Sequence, residues 1–168
     1  MGSYTLIGRV DEVDVLHRGG LRTAELSAVG EIAAPATIVH ERLLAYTDPR
    51  VIASYAEGWV AGICPPMSDF KLRARWTSSG MSCLSFRALD DRGLTTRRQN
   101  WVVEASGSWT FAPIEDALWT RAIYRVRIEL AGFASRWTVR NGARNDVPTL
   151  FQILRALVGD QRRLRSAV

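Results

Sequence analysis

The chain has 168 residues, 47% of them apolar and 23% charged, a balance that excludes a disordered segment and suits one sizeable core better than two. No apolar run approaches the roughly 18 residues a membrane span requires, and Met1–Arg9 lacks the basic flank and apolar stretch of a secretory signal. One cytoplasmic domain covering residues 1–168 is therefore expected. The net charge is +5, and of the 22 basic residues only Lys71 is a lysine.

Taken in chain order, Val10–His17 and Arg22–Ile32 both alternate between apolar and polar residues around Gly19-Gly20, which predicts an antiparallel hairpin. Pro35 opens a helix, since its missing N–H has no partner in a first turn anyway. Ile38, Val39, Arg42, Leu43 and Tyr46 carry the helical period, and Asp48-Pro49 ends it. Tyr55–Cys64 reads as a strand broken at Pro65-Pro66. In Phe70–Thr77 the residues Phe70, Leu72, Ala74 and Trp76 face one way, and Lys71, Arg73 and Arg75 the other.

Ser82–Leu89 repeats that pattern, with Leu84, Phe86 and Ala88 opposite Ser85 and Arg87. Leu94–Glu104 is a further strand with a mixed pattern. Gly107–Ala112 and Leu118–Leu130 form a last hairpin joined through Pro113–Asp116. Its second arm sets Ala122, Tyr124, Val126 and Ile128 against Arg121, Arg125 and Arg127, the mark of a sheet with one dry and one wet face. Asp146 reads as the N-cap of a closing helix with Pro148 in its first turn. Val147, Leu150, Phe151, Leu154, Leu157 and Val158 then give an apolar stripe that must pack on the dry face of the sheet.

Several chemistries lack their residues. Cys64 and Cys83 form no CxxC pair, and His17 and His40 have no metal-ligand partner at a usable spacing. There is no GxxxxGK[ST], no GxGxxG after a strand and no nucleophile elbow. No catalytic residue, metal or cofactor is assigned.

The stretch Gly107-Ser-Trp-Thr-Phe-Ala-Pro113, then Thr120-Arg-Ala-Ile-Tyr124, then Gly132-Phe-Ala-Ser-Arg-Trp137 with Asn141, is similar to the C-terminal half of START-type lipid-binding domains. Asp146-Val-Pro148-Thr-Leu150-Phe-Gln-Ile-Leu154-Arg155 continues the likeness, and Val29-Gly-Glu-Ile-Ala-Ala-Pro35 resembles the start of that family's first helix. Where the family often has a proline before its Trp, this chain has Ser135 or Arg136.

The resemblance to the START-like superfamily of polyketide cyclases and lipid carriers implies an α+β helix-grip fold, a curved antiparallel sheet wrapped around a long C-terminal helix. Between them it implies an apolar cavity for a hydrophobic small molecule such as a lipid, a sterol or a polyketide. The lining residues are then expected to be Trp76, Phe86, Trp109, Phe111, Tyr124, Phe151 and Leu154, with Phe133 and Trp137 near the mouth. Two other readings stay open: a cofactor-free cyclase or aromatase in the same cavity, and an interaction module with a filled core. The outward Arg73, Arg75, Arg87, Arg121, Arg125 and Arg127 read as a solvated surface first, and as a docking face for transient contact with an anionic membrane second. Few aromatics are interleaved with them, so no nucleic-acid partner is expected.

Overall fold

Three hairpin-forming stretches and two amphipathic helices can bury their apolar residues together only if the strands share one sheet and the helices cover one of its faces. The computed structural model, which describes residues 3–19, 23–46, 69–76, 80–89, 102–130 and 136–159, has that arrangement. Its strands are β1 (Thr5–Val10), β2 (Val13–Gly19), β3 (Thr23–Ile32), β4 (Asp69–Trp76), β5 (Ser82–Leu89), β6 (Val102–Ile114) and β7 (Trp119–Leu130), and its helices are α1 (Ala36–Tyr46) and α2 (Arg136–Leu157). All seven strands join one sheet in the order β1-β2-β3-β7-β6-β5-β4, each pair antiparallel. The β3–β7 pairing links the first hairpins to the last, with Ile32 opposite Thr120 and Ala28 opposite Tyr124. No described helix is long and apolar enough to cross a membrane.

The alternation in the sequence becomes the two faces of the sheet. Val13, Val15, Ala24, Leu26, Ala28, Ala122, Tyr124, Val126 and Ile128 are buried on the helix side, while Arg121, Arg125 and Arg127 are exposed on the other. At the start of α1 the Pro35 carbonyl accepts from the Val39 amide at 3.1 Å. There the Thr120 hydroxyl donates to the Ala34 carbonyl at 2.7 Å across a fully buried contact, which pins the beginning of α1 to β7.

Three expectations are corrected. Val10–His17 is not one strand: Asp11 and Glu12 take φ of 49° and 62° and form a tight turn between β1 and β2. Left-handed positions at both turn residues match the twist of a hairpin, yet usually call for Asn or Gly, so the Asp-Glu pair gave no turn signal. The break expected near residues 105–106 does not occur, and β6 runs unbroken from Val102 to Ile114; residues 94–101 lie outside the described residues. Helix α2 begins at Arg136 rather than at Asp146, so Pro148 sits inside it. A proline there removes the N–H that would bond the Arg144 carbonyl, but its ring is fully buried and continues the stripe formed by Ala143, Val147, Phe151 and Leu154. The expected strand Tyr55–Cys64 lies outside the described residues.

Candidate functional site

The inner face of the sheet is built in cross-strand rows. The first runs Trp76, Ser82, Phe111, Ala122 and Gly30 from β4 to β3. Next comes Ala74, Leu84, Trp109, Tyr124 and Ala28, and then Leu72, Phe86, Gly107, Val126 and Leu26. A fourth row is Phe70, Ala88, Ala105, Ile128 and Ala24. Large residues crowd the first two rows at their centre. Small ones, Gly107 and Ala105 among them, occupy the middle of the last two.

The two helices divide this face between them. Helix α2 packs chiefly on β1, β2 and β3, and α1 packs on β5, β6 and β7. Where they meet the sheet, Trp109 lies 5.8 Å from Phe111, 4.8 Å from Tyr124 and 5.0 Å from Phe151, measured between ring centroids. These spacings fall in the range where tilted or offset aromatic pairs attract. Phe111 and Phe151 are fully buried and Leu154 nearly so. Five of the expected lining residues, Trp109, Phe111, Tyr124, Phe151 and Leu154, are thus brought together.

Trp76 and Phe86 hold inner-row positions in the backbone register, while their side chains lie outside the described residues. Trp137 falls within the first turn of α2 rather than before it, because the helix starts earlier than expected; its side chain is also outside the described residues, as is all of Phe133.

Three features of the site went unread in the sequence. Gly30 sits directly under Phe151: a Cβ at this position would lie 2.9 Å from two ring carbons and 3.1 Å from a Val13 methyl. Its signal was a lone glycine inside a strand, which marks a close approach. The other two are polar. Ser82, fully buried, is paired across the sheet with Phe111. His40 of α1, 2% exposed, meets Phe111 edge-on at 6.4 Å.

Burial pushes the His40 imidazole below its ordinary value, with Glu41 pulling in the opposite direction. A base whose folded value is depressed is neutral in the folded chain while the unfolded chain takes up a proton. Its stabilising contribution is therefore present above the unfolded value of 6.5 and is lost as pH falls through it, by about 1.4 kcal/mol for each unit of depression. Thermal melts between about pH 8 and about pH 5 should show a declining stability. His40→Leu is expected to flatten that slope.

The outer face is charged but partly neutralised. Arg127 stands opposite Glu25 and Arg121 opposite Glu31, the latter pair 3.5 Å apart. Burial raises the Glu25 carboxyl, but Arg18, Tyr4 and Arg127 outweigh it and hold Glu25 below the usual range. Arg75, Arg121, Arg125 and Arg127 are exposed, as expected of a solvated face; the side chains of Arg73 and Arg87 lie outside the described residues. Among the described residues no group of three or more His, Cys, Asp or Glu is placed to hold a metal ion.

No family model matches the chain, and no curated protein matches it. Solved structures do. A STAR-related lipid transfer protein from Xanthomonas axonopodis is 16% identical, over 92% of this chain and 98% of that one, with a TM-score of 0.61. Human StAR-related lipid transfer protein 5 is 10% identical over 93% of this chain and 86% of its own, also at 0.61. Human STARD10 is 11% identical over 98% and 76%, at 0.59. At such identities the likeness is one of fold.

Proposed function

We propose that this chain, which has the START-like helix-grip fold, binds a hydrophobic small molecule, a lipid in the first instance, between the inner face of its sheet and its helices. One observation carries the reading. The inner rows place aromatics beside small residues, while α2 packs chiefly on β1–β3 and α1 on β5–β7. Gly107, which has no side chain, follows Trp109 and Tyr124 along the inner face in the next cross-strand row. Removing ligand surface from water there would drive binding at roughly 25 cal/mol per Å². Two of the structural neighbours carry lipid transfer in their names, which supports the same class of ligand.

The cyclase reading is less well supported. Proton transfer within a cavity requires ionisable groups near neutrality, and of the buried polar residues among those described, Ser27, His40, Ser82 and Thr120, His40 alone is one. As part of the same proposal, the exposed arginines of the outer face give a carrier a surface for passing contact with anionic lipid.

The test is native mass spectrometry of the protein as purified, followed by organic extraction of whatever is released. A reproducible adduct that extracts as a lipid or another apolar compound is the expected result. A clean apo mass, together with no stabilisation by a panel of lipids, would leave a filled core and an interaction module.

A further inference from the structure

Most buried hydroxyls in a folded chain have a hydrogen-bond partner, and one without a partner calls for an explanation. Ser82 is such a group: it is 0% exposed, and no described residue bonds its Oγ. Its place in the fold is specific. It opens β5 on the inner row that continues through Phe111 to Ala122, under the part of the sheet that α1 covers. Phe111 in turn stacks with Trp109 of the surface assigned above to the ligand, and Ser82 lies one inner row beyond Trp109, on the side away from Gly107.

The electrical character of this end of the site decides what could meet the hydroxyl. A second buried polar residue, His40, meets Phe111 edge-on. The buried residues among those described include no arginine, lysine, aspartate or glutamate. A carboxylate or phosphate brought here would lose its hydration and meet no buried opposite charge among the described residues, which is costly. A neutral oxygen loses far less on leaving water and can both accept from a serine hydroxyl and, as an alcohol, donate to it.

We propose that Ser82 is the polar anchor of the ligand site and that it takes a neutral oxygen, a hydroxyl or a carbonyl, on an otherwise apolar ligand. This rests on the cavity reading above and narrows it: anionic lipids would not place their head groups at this end.

The experiment compares dodecanol, dodecane and dodecanoate on the full chain, with binding followed by intrinsic tryptophan fluorescence. Wild type is expected to bind dodecanol about tenfold tighter than dodecane, the equivalent of one net hydrogen bond, and dodecanoate no tighter than dodecane. In Ser82→Ala the dodecanol-to-dodecane ratio should fall to within about twofold of unity; because it is a ratio, general loosening of the fold cancels. Equal binding of all three compounds, tightest binding of dodecanoate, or an unchanged ratio in Ser82→Ala would each overturn the anchor while leaving the cavity in place. Binding of none of the three would remove the cavity reading itself, and the anchor with it.

Discussion

Replacing Phe151 by alanine is expected to lower folding stability by about 3–5 kcal/mol, seen as a fall in the urea midpoint with little change in slope. The value belongs at the upper end for a core substitution because the site cannot collapse. Phe151 is 0% exposed, and its ring lies 5.0 Å from that of Trp109. Beneath it the floor is the backbone of Gly30, hydrogen-bonded into β3 between β2 and β7 and unable to rise into the vacated space. A ring set on a glycine also predicts the reverse experiment. Gly30→Ala should cost about 1–3 kcal/mol by overpacking, since its new methyl would meet the ring at 2.9 Å. Combined with Phe151→Leu, the alanine at 30 should cost less than it does alone, a coupling expected of residues in direct contact.

That contact also shows where sequence reasoning reaches its limit. Residues whose position follows from periodicity were legible: Trp109, Phe111, Tyr124, Phe151 and Leu154 all lie on the dry side of their elements, and all are buried together. The strands of the second half were legible for the same reason, since Ala122, Tyr124, Val126 and Ile128 alternate with charged residues over most of β7. Strand β1 was not, because an edge strand with most of its residues exposed has little need to alternate. The first half of α2 was hidden by Gly142 and a run of arginines and asparagines. Among the described residues Ala143, nearly fully buried, carries the stripe upstream of Val147. Ser82 and His40 carry no pattern at all: one buried polar residue on a strand and one on a helix acquire meaning only when the fold sets both beside Phe111.

The second large effect concerns how the closing helix is fastened to the sheet. Arg155→Met is expected to destabilise the chain by about 1–2 kcal/mol, toward the lower part of the range for hydrogen bonds to a charged donor because the site is partly open to water. The guanidinium donates through Nε and Nη2 to the Glu31 carbonyl at 3.1 and 2.9 Å, and through Nη1 to the Asp11 carbonyl at 2.7 Å. One side chain in the last turn of α2 therefore holds both the end of β3 and the turn between β1 and β2. Gln152, one turn earlier, adds a bond to the Asp11 carboxylate. The turn has need of them, since Asp11 and Glu12 both occupy left-handed backbone positions, which are unfavourable for residues with a Cβ and persist where surrounding contacts fix them. Arg155→Lys separates the two contributions of the side chain. It keeps the positive charge near the C-terminal end of the helix, worth about 0.3–1 kcal/mol, but replaces the planar fork with a single ammonium that cannot span both carbonyls. Lysine should therefore recover the smaller part of the loss. Amide exchange in the β1–β2 turn should quicken in both variants, and more in methionine. If exchange there stays at the wild-type rate while global stability falls, Arg155 stabilises the helix alone and does not clamp the turn.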